Sequence, residues 1–156
     1  MKTFKVFIAS SAELQHERRE LVDLLLDLND ELEGQDIKFK PILWEYMDSS
    51  MRTGRKEDEY LEKLRECEKC LVLFWRTLGE YTEEEFNVAV AEMQAGRLPQ
   101  QVHVLLKEPA KEISEELCLF KQKLSIKFPD IPVLIFEDAR SLRKVVTTIL
   151  QNKNTE

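Results

Sequence analysis

The sequence predicts an α/β fold in which helices cover both faces of a parallel sheet. Three observations lead to it. Short apolar runs recur along the 156 residues, amphipathic segments separate them, and one run, at 70–75, is uninterrupted. An uninterrupted apolar run is typical of a strand buried on both faces. Parallel neighbours need helical crossovers, so five strands alternating with five helices predict a three-layer α/β sandwich.

The first third of the chain predicts two strands and a helix. Phe4–Ala9, rich in aromatic and β-branched residues, indicates a central first strand. Leucines and a valine recur at helical spacing over about 12–33, and Gly34 follows where a helix would end. The next apolar segment, 37–45, predicts the second strand, and Pro41 within it indicates a sheet edge.

The rest of the chain continues the alternation. The predicted elements are a loop over 46–56, a helix over 56–69, strand three over 70–75, a helix over 82–96, strand four over 101–106, a helix over 111–128, strand five over 132–136 and a helix over 141–150. We expect a single domain over 1–150. The polar tail 151–156 fits either its end or the start of a linker to a further domain.

Five parallel strands favour the flavodoxin-like order 2-1-3-4-5. In that order a crevice opens at the carboxyl ends of strands one and three, where successive crossovers leave in opposite directions. The segments 10–13 and 76–85 must line this crevice, and Trp44 and Glu45 at the end of strand two form a nearby wall. There is no glycine-rich turn of the dinucleotide-binding or P-loop type, so a nucleotide would have to bind in another way.

Composition narrows the function. Thirty acidic against 23 basic residues give a net charge of -7, the wrong sign for binding nucleic acid through its phosphates. No apolar run approaches membrane-spanning length and no signal peptide begins the chain, which predicts a cytoplasmic protein. Three cysteines make no disulfide framework. The pair Cys67 and Cys70 ends a helix and opens a strand, which favours packed thiols over a redox or metal site.

Two short patterns border the crevice, and each has two interpretations. Ser10-x-x-Glu13 and Thr82-x-x-Glu85 both match the capping box that begins a helix. Ser10 and Ser11 also stand beside free backbone N–H groups, which suit a phosphate or a ribose. Glu85 borders the crevice, where a carboxylate can face an anomeric carbon and stabilise an oxocarbenium-like centre.

Several separated segments, in this order, resemble the TIR-like domains of unknown function that often begin larger bacterial proteins. The segments are Phe4–Ser11, Leu14-x-x-Glu17-Arg18, Trp44-Glu45, the strand at Cys70, Leu78-Gly79-x-Tyr81-Thr82-x-x-Glu85-Phe86 and Ala89, and the resemblance covers about residues 4–107. The wider group joins TIR domains with nucleoside deoxyribosyltransferase-like proteins. Thr82-x-x-Glu85-x-x-x-Ala89 is similar to its glutamate motif.

The resemblance implies a flavodoxin-like fold and, in active members, cleavage of the nicotinamide N-glycosidic bond of NAD. By this resemblance Glu85 is the catalytic residue. Ser10 and Ser11 contact the ribose or phosphates, and Trp44 or Tyr81 stacks on a base. Glu45 and Thr82 complete the expected binding residues; NAD is a substrate, with no resident cofactor and no metal.

The alternative is a non-catalytic adaptor that self-associates or passes a signal to a fused effector domain. Nucleoside deoxyribosyl transfer is disfavoured, because groups that would bind two bases are not evident. The basic cluster 51–56 suits a phosphate, a self-association loop or a solvated loop. Arg18 has either a surface or an inward role, and His103, inside strand four, is interpreted as a packed residue.

Overall fold

The computed structural model describes residues 2–43, 57–79 and 81–151. Its elements are β1 (Lys2–Ser10), a 3-10 turn (Ala12–Leu14), α1 (Gln15–Glu31), β2 (Ile37–Ile42), α2 (Glu57–Leu64), β3 (Lys69–Phe74), α3 (Thr82–Gln94), β4 (Gln101–Lys107), α4 (Glu115–Lys127), β5 (Val133–Phe136) and α5 (Ala139–Gln151). Within these ranges the strands form one open parallel sheet of order β2-β1-β3-β4-β5. The predicted α/β flavodoxin-like three-layer architecture is confirmed.

The position of each strand follows from its sequence. All six residues of β3 are buried, as expected for a strand flanked by β1 and β4 and covered on both faces. β2 lies at an edge and contains Pro41, which has no N–H to donate and is tolerated there. Within β2, Phe39 is buried, while Lys38 and Lys40 on either side of it are exposed.

Each face of the sheet carries its own apolar core. α1 and α5 cover one face, where Val6 and Ile8 of β1 meet Leu71 and Leu73 of β3. The helices α2, α3 and α4 cover the other face, and their buried aromatic residues pack together there. These are Tyr60, Phe86 and Phe120, with Phe7 and Phe74 from the sheet. Successive residues of one strand thus serve opposite cores.

The three largest differences from the predicted helix boundaries have local reasons. α4 begins at Glu115, four residues later than predicted, because Ser114 caps it by accepting a hydrogen bond from the Leu117 N–H (3.1 Å). Just before it, Glu112 has φ of 56°, which no helix accommodates. α2 stops at Leu64, and the Glu68 N–H, predicted as helical, donates to the Lys5 carbonyl of β1 instead.

The third difference lies at the start of the long first helix. Residues 12–14 form a 3-10 turn and the α-helix begins at Gln15, while the helix ends at Glu31, ahead of Gly34.

In the described residues, no helix is both long and apolar enough to cross a membrane. The predicted loop 46–56, with its basic cluster, and the tail 152–156 lie outside them.

Candidate functional site

The crevice predicted from the strand order lies where β1 and β3 end side by side. β1 pairs with β3 through Ser10, opposite Leu73. The chain leaves β1 toward α1 on one face and leaves β3 toward α3 on the other. This divergence is the topological switch point of an open α/β sheet, where ligands bind in such folds.

At the end of β1, both serine hydroxyls are engaged within the protein. Ser10 Oγ donates to the Ser11 carbonyl (3.1 Å) and accepts from Arg18 Nη1. The same Nη1 donates to the Ser11 carbonyl at 2.9 Å. Ser11 Oγ donates to Glu13 Oε2 at 3.1 Å. Arg18 is only 7% exposed, so its inward role is established by the structure.

The first predicted capping box does not form. The residue before the 3-10 turn is Ser11, not Ser10, and its side chain makes no capping hydrogen bond. The Glu13 carboxylate accepts from the Ser11 hydroxyl and reaches across to the loop after β3. The prediction was wrong because a carboxylate that meets several N–H donors in another loop gains more than one that returns to a single local amide.

Glu13 holds the two crevice loops together. Its Oε2 accepts from Thr77 N (2.8 Å), Thr77 Oγ1 (2.8 Å) and Arg76 N (3.1 Å), and Oε1 accepts from Arg76 Nε (3.3 Å). Partial burial raises the pKa of Glu13, but the hydrogen bonds from Thr77, Arg76 and Ser11 together hold it below its ordinary value. The carboxylate is therefore ionised and structurally committed, and it is not a free catalytic base.

Gly79 brings the loop after β3 into direct contact with the end of β1. It has φ of 85°, and a Cβ at this position would lie 3.2 Å from both Cα and Cβ of Ser11 and would overlap Thr82 Oγ1. Only glycine combines this backbone conformation with so close an approach. Ser11 and Thr82 both lie next to Gly79, and both are buried.

Glu85 is a buried carboxylate on the first turn of α3, with only 5% of its surface exposed. It lies one turn from Thr82, so the two side chains share a helix face. The Glu85 N–H donates to the Tyr81 carbonyl at 3.0 Å, which makes Tyr81 the residue before the helix. The second predicted capping box is therefore out of register: Thr82 is already helical and takes no N-cap position. Tyr81 itself is half-buried beside the site.

Sequence reasoning missed a charged cluster on the rim of the crevice. Lys107, the last residue of β4, donates to buried Glu17 Oε2 at 2.6 Å. Its Nζ also lies 4.2 Å from the centre of the Trp75 ring, and the Arg76 guanidinium lies 4.3 Å from it. Glu17 is adjacent to Arg18 in the sequence, but its partner is 90 residues away, and no local pattern indicates such a pair.

The remaining predicted residues divide clearly. Ser10 and Ser11 lie at the end of β1, and Tyr81, Thr82 and Glu85 lie at the start of α3. Trp44 and Glu45 lie outside the described residues. Cys67 and Cys70 are buried. Burial raises the pKa of Cys67 to about 12 and that of Cys70 well above its ordinary value, so both are protonated, packed thiols.

Across ranges 2–43, 57–79 and 81–151, no group of three or more His, Cys, Asp or Glu side chains is arranged to hold a metal ion. No protein-family model matches the chain, and a comparison with curated proteins finds no significant match. The geometry of the crevice is therefore the basis on which a function has to be argued.

Proposed function

We propose that the crevice binds NAD or a related nucleotide and hydrolyses its N-glycosidic bond, with Glu85 as the catalytic residue. The sequence resemblance to TIR-like domains suggests this chemistry, in the setting of a bacterial signalling or defence protein. One structural observation carries the proposal: Glu85, only 5% exposed, lies on the first turn of the helix that follows β3 at the switch point.

The chemistry of NAD fits a site with one buried carboxylate, that of Glu85. The bond between ribose C1′ and the pyridinium nitrogen breaks with its electron pair going to nitrogen, so nicotinamide departs neutral and needs no proton. Positive charge develops at C1′ and the ring oxygen, where a nearby carboxylate stabilises it. Water then adds to C1′ and releases a proton. Because no general acid is required, the commitment of Glu13 to the loops does not stand against the reaction.

The hydrogen-bond polarity at the end of β1 favours a sugar ligand. Ser10 and Ser11 both donate their hydroxyl protons to acceptors within the protein. Each oxygen keeps a lone pair, so the pair can accept hydrogen bonds but has no proton left to donate. Ribose hydroxyls are donors, whereas phosphate oxygens are acceptors. We therefore place the ribose, not the phosphates, next to these serines, with half-buried Tyr81 as the stacking residue.

The decisive experiment measures nicotinamide released from NAD by wild type, Glu85→Gln and Glu84→Gln. Glu84 is an exposed neighbour on the same helical turn and serves as the matched control. We expect Glu85→Gln to lower turnover at least about 100-fold, as loss of a charge-stabilising catalytic group does. Glu84→Gln should retain wild-type turnover. Equal turnover in wild type and a folded Glu85→Gln protein would overturn the catalytic assignment.

A non-catalytic interaction module is the second candidate, and one observation favours it. Hydrogen bonds that hold the loops in place engage Ser10, Ser11, Glu13 and Arg18. A rigid surface of this kind is expected of a module that binds another protein. This function requires association without turnover. It is supported if neither dilute nor concentrated protein releases nicotinamide while the molar mass in solution rises with concentration.

A further inference from the structure

Lys69 carries a buried ammonium group at the amino ends of the strands, opposite the end where the crevice lies. It is the first residue of β3 and only 9% exposed. The alternation along β3 places it on the α1/α5 face, together with Leu71 and Leu73. Its Nζ donates to Gln101 Oε1 at 2.6 Å, and among the described residues no carboxylate pairs with it. Lysine is almost never buried without a counter-charge.

His103 adds a second unsatisfied group beside it. It lies on β4, two residues beyond Gln101 and on the same face, and is likewise 9% exposed. Its Nδ1 is fully buried and has no hydrogen-bond partner. Burial, followed by the positive charge of Lys69, lowers the pKa of His103 to about 4. A buried polar atom without a partner commonly marks a missing water or ion.

We propose that Lys69 and His103 form a binding site for a small oxyanion, a phosphate or a carboxylate group. The ammonium group of Lys69 has two further N–H donors, and the imidazole of His103 supplies one in the tautomer or charge state that carries a proton on Nδ1. An oxyanion between them provides the counter-charge that Lys69 lacks and satisfies the orphaned nitrogen. Charge-assisted hydrogen bonds of this kind are the strong ones in proteins.

This site is separate from the crevice in position and in chemistry. β3 runs from Lys69 to Phe74, so its two ends are about 17 Å apart. The crevice residues follow the carboxyl end, whereas Lys69 and His103 lie near the amino ends of their strands. The proposed oxyanion site therefore does not depend on whether the crevice hydrolyses NAD.

The test follows the imidazole NMR signals of the full chain, which contains two histidines. Exposed His16 serves as the internal control. Sodium phosphate and sodium acetate are each titrated against sodium chloride at equal ionic strength. We expect either oxyanion to shift the His103 signals with saturation and to raise its titration midpoint by about one pH unit, a tenfold preference for the protonated form. His16 should respond as it does to chloride.

The two oxyanions distinguish the sources of the ligand: a response to phosphate alone indicates a phosphate site, and a response to acetate indicates a carboxylate site. Lys69→Met should abolish the shift, whereas Lys5→Met should preserve it. Lys5 is half-buried on adjacent β1 and pairs with Glu66. Unchanged His103 signals in wild type with both anions would overturn the proposal, even if Lys69→Met does not fold. A shift that persists in Lys69→Met would overturn it as well.

Discussion

Glu13 and Thr77 lie 64 residues apart in the chain, yet one carboxylate oxygen of Glu13 accepts from both the backbone N–H and the hydroxyl of Thr77, each at 2.8 Å. The two residues belong to the loops that leave β1 and β3 toward opposite faces of the sheet. Beyond the ends of β1 and β3, strand pairing no longer holds the two loops together. The hydrogen bonds to the Glu13 carboxylate do so instead, and they help to set the spacing between the walls of the crevice.

Replacement of this carboxylate by an amide should destabilise the protein. In Glu13→Gln one oxygen is lost and an NH₂ group faces the N–H donors of Arg76 and Thr77. We expect the free energy of unfolding in urea to fall by about 1.5–3 kcal/mol, the range for hydrogen bonds to a charged group. The exposed Glu33→Gln should be neutral. Equal stability of Glu13→Gln and wild type would show that the loops do not depend on this contact.

The same contact should make stability depend on pH. The pKa of Glu13 in the folded protein lies below its ordinary value of 4.5. Its contribution is therefore complete above about pH 5 and is lost as the pH falls through the folded-state pKa, because the unfolded chain then binds the proton more readily. The stability difference between wild type and Glu13→Gln should narrow on acidification. Urea unfolding at pH 7, 5, 4 and 3 tests this, and a constant difference would contradict it.

The fold could be predicted because its signals are local and periodic. The uninterrupted run at 70–75 indicated a buried strand, and Pro41 indicated an edge; the structure confirms both. Helix ends were predicted less well, since they depend on which side chain accepts a hydrogen bond from the free backbone N–H groups there. Ser114 caps α4 where the apolar pattern alone suggested an earlier start.

The candidate site could be predicted only in outline. Strand order alone predicted that Ser11, which follows β1, and the start of α3, with Thr82 and Glu85, border one crevice. The first capping box was wrong because a four-residue pattern carries no information on distant partners. The second was wrong because the residue before α3 is Tyr81, not Thr82. Glu13 bonds to a loop more than 60 residues away, and the pairing of Glu17 with Lys107 spans 90. Such pairs follow from the fold and have no signature within the sequence.

Gly79 should be far less tolerant of a side chain than Gly96. Both have positive φ, 85° and 80°, but a Cβ at Gly96 would meet nothing within 4 Å, whereas at Gly79 it would press on Ser11 and Thr82. Gly96→Ala should cost about 1 kcal/mol, the backbone penalty alone. Gly79→Ala should cost at least about 1 kcal/mol more, because strain and displacement add to that penalty. Urea unfolding of both variants gives the comparison. Equal losses of unfolding free energy would show that the loop shifts to accommodate the methyl group at little cost.

Asn29 should stabilise the edge of the sheet. Its side chain accepts from Phe39 N at 2.7 Å and donates to Phe39 O at 2.9 Å, which satisfies the backbone groups that β2 turns away from β1. Asn29→Ala leaves a buried residue with an unpaired donor and acceptor, so we expect a loss of about 1–3 kcal/mol. Asp30→Ala, its exposed neighbour on α1, should be nearly neutral. Hydrogen exchange at the Phe39 amide should accelerate in the first variant alone; if its protection were unchanged, the backbone of β2 would have to be held by another group.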